Sequence, residues 1–280
     1  MTAKQTQQTF LAEAEYRKMF DALKAFTTIV LFELEEKAST AQPQSAIRLR
    51  IIRNFISRGE VTIESILRLY DSRAYGDCWA LFRTLLDRVF HLHVIAHDNA
   101  FLAFEEWSFV KQYEIRNNIS SDTTLTPEQR AAAAKPNEEQ KKRYKQLKAK
   151  GITWREPKPE DAAKSLGMMM LYKFGYDFAS RFLHPLATDG RAEFEYITQL
   201  GNKGDCGDQR LLLHNAALTF TMLVQVGLNA TELEWRTLIF DCVDAFRKAL
   251  TGGGVAYTHP LVKIAGGGSE TRWSRAKPGA

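Results

Sequence analysis

Apolar positions along the chain recur at three- and four-residue steps almost everywhere, the period of an amphipathic helix. From about Gln7 to Lys37 the stripe is Leu11, Tyr16, Met19, Leu23, Phe26, Val30 and Leu34. Pro43 suits the first position of a second helix, and Gly59 reads as its stop. A third helix is expected from about Val61 to Ala96, broken or kinked near Tyr75–Gly76, and a fourth from about Phe101 to Arg116. The helical pattern resumes at Pro159 and runs to His184, where Pro185 stops it. After a Gly-rich loop over 187–208, two more helices are expected, about Gln209 to Leu228 and Thr231 to Leu250. No strand alternation persists. The pattern predicts an all-α helical bundle of about seven to nine helices.

Between the fourth helix and Pro159 the composition changes. Residues 117–161 hold few large apolar side chains and many charges, and read as a polar insertion that is mobile or packed only along Tyr144 and Leu147. Within it, Thr126-Pro127-Glu128-Gln129 is a capping box with proline at the first helical position, so a helix starts there. Pro136 interrupts it, and 138–150 forms a separate charged helix. The tail 251–280 carries seven of the 17 glycines and is expected to be flexible. The division is thus one helical domain over 1–250, including the insertion, and a basic Gly-rich tail.

The formal net charge of +5 is unevenly placed. Segment 135–150 has seven basic residues against two acidic, and the tail four against one, which leaves the remainder at net −3. A general basic groove for nucleic acid is therefore not expected, and contact with an anionic partner would fall to the insertion or the tail. Three scattered cysteines, Cys78, Cys206 and Cys242, make neither a disulfide framework nor a zinc site, and the N-terminal residues have no apolar leader. A cytoplasmic protein is the expectation. Leu211 to Thr231 lacks formal charge and is long enough to span a bilayer, but His214, Asn215, Gln225 and Asn229 fit a buried core helix better. No membrane contact is expected.

Chemistry is suggested by polar residues that interrupt apolar helices. Arg83, Asp87 and His91 stand at i, i+4 and i+8, on one face among Trp79, Phe82, Leu85, Leu86, Val89 and Phe90. A buried arginine or aspartate needs a partner, so Arg83–Asp87 reads as an ion pair. Tyr176, Ser180 and His184 repeat the spacing near the end of a later helix, where the dipole favours an imidazolium, with Arg181 on a neighbouring face. Each stripe has two readings: a structural network fixing helix register, or a site. His93 and His97 share a face and could chelate a metal, but neither an HExxH motif nor Glu-x-x-His pairs occur. Neither a metal nor a cofactor is expected. The chain has no GxSxG elbow, P-loop or GxGxxG fingerprint.

At these two stripes the sequence resembles a known family. The run from Arg73 to Asp87, with Arg83 followed by Leu85-Leu86-Asp87, resembles its first motif, with aspartate where glutamate is usual. The stretch from Trp154 to His184, ending Tyr176-x3-Ser180-x3-His184, resembles its second. The family is domain-of-unknown-function family 5677, all-helical and mainly bacterial, and the resemblance covers roughly residues 60–190. It implies no established activity, but it is similar in look to the helical HEPN nucleases and nucleotide-binding domains of prokaryotic defence systems. On that resemblance the expected function is metal-independent RNA cleavage or nucleotide binding in a defence or toxin setting, at a site normally formed across a homodimer. His184 would be the general acid/base and Arg181 or Arg83 would hold the phosphate, with Asp87 orienting and Tyr176 and Ser180 positioning. The pattern departs from the nuclease form: Arg181 and His184 have two intervening residues instead of four to six. Arg88 and His93 have four, but i,i+5 points them apart on a hydrophobic helix. The alternative is a non-enzymatic helical interaction module whose polar stripes are structural, with a protein partner reached through 135–150 or the tail.

Overall fold

A computed structural model describes residues 11–132, 136–184 and 209–233, together with 187, 194 and 198. The described residues are helical, with no strand among them. The expected helix over 231–250, the Gly-rich loop and the tail lie outside them, apart from a few positions. Four long helices carry the core: α1 (Glu13–Thr40), α2 (Pro43–Asp71), α3 (Tyr75–His97) and, last among the described residues, α10 (Arg210–Asn229).

Helices α1 and α2 are antiparallel neighbours because only Ala41 and Gln42 separate them, with Pro43 opening the second. Their register is marked by polar pairs that climb α1 while descending α2: Arg17–Asp71, Lys24–Glu64, Thr27–Glu60 and Glu35–Arg53. The Thr27 hydroxyl, fully buried, donates to the Glu60 carboxylate at 2.7 Å, so this interface is specified by polar pairing as well as by burial of Tyr16, Met19, Leu23, Val30 and Leu34.

The expected stop at Gly59 does not occur, since α2 runs straight through it to Asp71. The glycine is needed for packing. A Cβ there would stand 2.5 Å from Leu223 Cδ2 and 3.1 Å from the Phe220 ring, so its absence lets α10 approach α2 closely. Gly227 repeats the device one turn and a half later against Ile52 and Ile56. The chain instead turns at Ser72–Ala74, with Arg73 in the left-handed region at φ 62, and α3 begins at Tyr75 where the break was expected.

Helix α10 is long and apolar enough to cross a membrane by composition, but it packs against α1, α2 and α3, with Leu212, Leu213, Phe220, Leu223 and Leu228 buried. Its histidine, His214, accounts for the polar interruption: the Tyr16 hydroxyl meets Nδ1 at 3.1 Å. Burial holds His214 below its ordinary imidazole range. In the unfolded chain it protonates near pH ~6.5. Stability should therefore be fully present above that pH and fall as pH drops from there toward the depressed folded value, because only the unfolded state takes the proton readily. His93, lowered by burial and then by His97, acts in the same direction. Melting temperature measured from pH 7.5 to 5.5 is expected to fall in the wild type and to fall less in His214→Gln carrying His93→Gln. Equal slopes would remove these histidines from the account.

The polar insertion is more structured than its composition suggests. Helix α4 (Phe101–Ser121) extends into it, and α5 (Pro127–Ala132) starts at the expected capping box, with Gln129 N–H donating to Thr126 Oγ1 at 3.3 Å. Helix α6 (Glu138–Lys150) has a second box, Asn137 with Gln140. It docks on α4, where Tyr144 stacks on Tyr113 at 4.1 Å and three of its cations meet carboxylates: Arg143–Glu105, Lys148–Glu114 and Lys150–Glu106. The chain then returns to the core through Trp154, which lies against Phe104, Trp107 and His91.

The single helix expected from Pro159 to His184 is divided. Helix α7 (Pro159–Ser165) is followed by Gly167 at φ 69, and α8 (Met169–Leu171) leads into a π turn, Tyr172–Tyr176, before α9 (Asp177–Ser180). The π turn widens the coil where Gly175 sits against Phe82, 3.3 Å from where a Cβ would stand. It lets Tyr176 and Ala179 turn toward α3.

Candidate functional site

Two stripes from distant parts of the chain meet at α3 and α9. Phe82 and Trp79 on α3 form the apolar floor, with Trp79 edge-on to Phe178 at 4.9 Å and Phe90 tilted against Tyr176 at 5.9 Å. Arg83 reaches from this floor into α9. Its Nε donates to Ser180 Oγ at 2.9 Å and its NH2 nitrogen donates to the Tyr176 hydroxyl at 2.6 Å. The third nitrogen, NH1, faces Asp87 Oδ2 at 3.4 Å, and the guanidinium carbon lies 4.5 Å from the centre of the Tyr176 ring. Ser180 in turn donates to the Tyr176 carbonyl at 2.7 Å.

The electrostatics follow from partial burial. The side chains of Arg83 and Asp87 are 22% and 28% exposed, too dry for either to be indifferent to the other. Burial pushes the Asp87 carboxyl up, and Arg83 pulls it back without cancelling the effect. The Tyr176 hydroxyl is pushed up to about 12, first by burial and then by Asp87, so it keeps its proton at neutral pH. It accepts from Arg83 while interacting with Asp87 as a donor.

Four of the six residues singled out in sequence therefore come together: Arg83, Asp87, Tyr176 and Ser180. The other two do not. Arg181 is exposed and its guanidinium lies 5.8 Å from the centre of the Phe178 ring. His184 is exposed in the turn after α9, its backbone N–H donating to Ser180 at 3.3 Å. His91 is held by its own helix, Nδ1 to the Asp87 carbonyl at 2.7 Å, and does not meet the Asp87 carboxylate. His93 binds Ser165 Oγ at 2.9 Å and His97 binds Asp98, and no group of three metal-binding side chains occurs among the described residues. A cleft of about 210 Å³ lies elsewhere, between α1, α2 and α10, lined by Phe20, Lys24, Glu60, Ile63, Arg68 and Phe220 among others.

The α3 side also carries a residue whose environment the sequence did not disclose. Arg88 Nε is buried without a hydrogen-bond partner among the described residues, and burial first, then the nearby positive charge of Arg58 of α2, lower the Arg88 pKa against the pull of Asp87. A buried donor left without an acceptor is a cost to the fold. Arg88→Met is expected to raise stability by about 1 kcal/mol, read from the urea midpoint, since an apolar side chain of similar length fills the space. A loss of that size would mean the guanidinium is satisfied after all.

A family model described as a family of unknown function, DUF5677, matches residues 49–195. The chain belongs to this family. The DUF5677 match begins in α2, includes all of α3 through α9, and so contains the entire Arg83–Asp87–Tyr176–Ser180 cluster, while α1 and α10 lie outside it. Comparison with curated proteins and with solved structures finds no match.

Proposed function

We propose that this DUF5677 chain is a non-enzymatic helical interaction module in which the polar stripes fix the α8–α9 segment on α3 and so present its outer face. The observation that carries this reading is the use of Arg83. All three guanidinium nitrogens face groups of the same chain, on Ser180, Tyr176 and Asp87. Phosphate recognition would require that planar fork to be turned outward. A ribonuclease would also require His184 beside the phosphate-holding arginine, whereas His184 and Arg181 stand apart from the cluster on the exposed turn. The basic helix α6 supports the same reading, because Arg143, Lys148 and Lys150 are directed to carboxylates of α4.

The test is incubation of the purified full chain, wild type and His184→Ala, with total RNA in the absence of metal. The expected result is intact RNA with both proteins. Cleavage by the wild type that His184→Ala loses, with unchanged circular dichroism, would overturn the module reading and restore His184 as general acid/base.

A further inference from the structure

The face that the Arg83 contacts present is apolar. Met170, Phe174, Phe178 and Phe182 recur at four-residue steps and are 76%, 71%, 37% and 45% exposed, with Leu183 beside them at 41%. Phe178 and Phe182 rest partly on Trp79 and Gly76, and Met170 and Phe174 stand free. Aromatic and long aliphatic side chains each present up to about 200 Å², so this row exposes on the order of 500 Å² of contiguous apolar surface, at the upper end of what a monomer shows.

We infer that this face pairs with the same face of a second copy of this chain, the two α8–α9 segments running antiparallel about a two-fold axis. The inference rests on the interaction reading above and names its partner. A straight row with four-residue spacing is self-complementary when reversed: Met170 falls opposite Phe182 and Phe174 opposite Phe178, large against large. The exposed polar flank carries both signs, Lys173, Asp177 and Arg181. In this register Asp177 of each copy falls within a helical turn of Lys173 of the other. With that polar flank as a rim, the patch approaches the roughly 800 Å² per partner of a standard interface. A foreign amphipathic helix could use the same apolar row but has no need of the two-fold pairing.

Sedimentation equilibrium of the full chain at micromolar concentration tests this. The wild type is expected at twice the 31.8 kDa of one chain. Phe174→Glu, and independently Met170→Lys, are expected at the mass of one chain with unchanged helical content, since both side chains are largely exposed. Register is tested in a Cys206→Ser, Cys242→Ser background by mixing Phe174→Cys chains with Phe178→Cys chains under mild oxidation. The mixed pair should cross-link at least ten times faster than either variant alone. A monomeric wild type, a dimer that survives both charge substitutions, or preferential cross-linking of Phe174→Cys with itself would each overturn the pairing. RNA cleavage lost in His184→Ala would instead overturn the interaction reading, so the two failures are distinct.

Discussion

Replacing Arg83 with methionine is expected to destabilise the fold by about 3 kcal/mol, most of it through loss of the contacts between α3 and α9. The residue makes two hydrogen bonds to neutral hydroxyls, Tyr176 of the π turn and Ser180 of α9, an ion pair with Asp87 and a cation–π contact with Tyr176. Charged hydrogen bonds each contribute about 1.5–3 kcal/mol, and the cation–π contact about 1. Two effects reduce the sum. Methionine retains the buried stem, and Asp87, already pushed up by burial, can take a proton once its cation is gone. The loss is expected to be local: amide exchange should accelerate across residues 169–184 and stay unchanged in α1, α2 and α10. Arg83→Lys should recover less than half of the stability, because one ammonium cannot reach Ser180, Tyr176 and Asp87 in the fork geometry. Uniform acceleration of exchange throughout the chain would show that Arg83 supports the whole core and does not specifically hold α9.

Gly59→Val is expected to cost roughly 3 kcal/mol, at the upper end for overpacking. Leu223 is fully buried, and Phe220 is 1% exposed, so neither can swing out of the way of a branched side chain. α2 and α10 would have to separate. Gly59→Ala provides the internal comparison. Its Cβ already falls 2.5 Å from Leu223 Cδ2, so Leu223 must shift, and the up to ~1 kcal/mol that alanine gains over glycine in helix propensity offsets only part of that cost. The alanine variant is expected between the wild type and the valine variant. Chemical denaturation of both variants checks this, and a valine variant as stable as the alanine one would contradict the close packing of α2 on α10.

These two residues mark where the sequence was legible and where it was not. Four-residue spacing placed Arg83 with Asp87 and Tyr176 with Ser180, because side chains at that step share a helical face. It could not reveal that the two pairs face each other, since Tyr176 is 93 residues from Arg83 and the meeting depends on a π turn at Gly175. His184 satisfies the same spacing and lies in the exposed turn that follows Ser180. Gly59 reads as a helix stop because glycine weakens helices, and only the proximity of Leu223 shows the tertiary reason for it. The lysine-rich stretch over 138–150 was legible as a helix, but its ion pairs with Glu105, Glu106 and Glu114 required the path of α4.

The central claim is that Arg83 and Tyr176 form a structural contact between α3 and the π turn. A double-mutant cycle on unfolding free energy tests it most directly, using Arg83→Met, Tyr176→Phe and the combination. The account predicts a coupling of about 1.5 kcal/mol, because the hydroxyl matters only while the guanidinium is there to donate to it. Strictly additive losses, with coupling under ~0.3 kcal/mol, would contradict it.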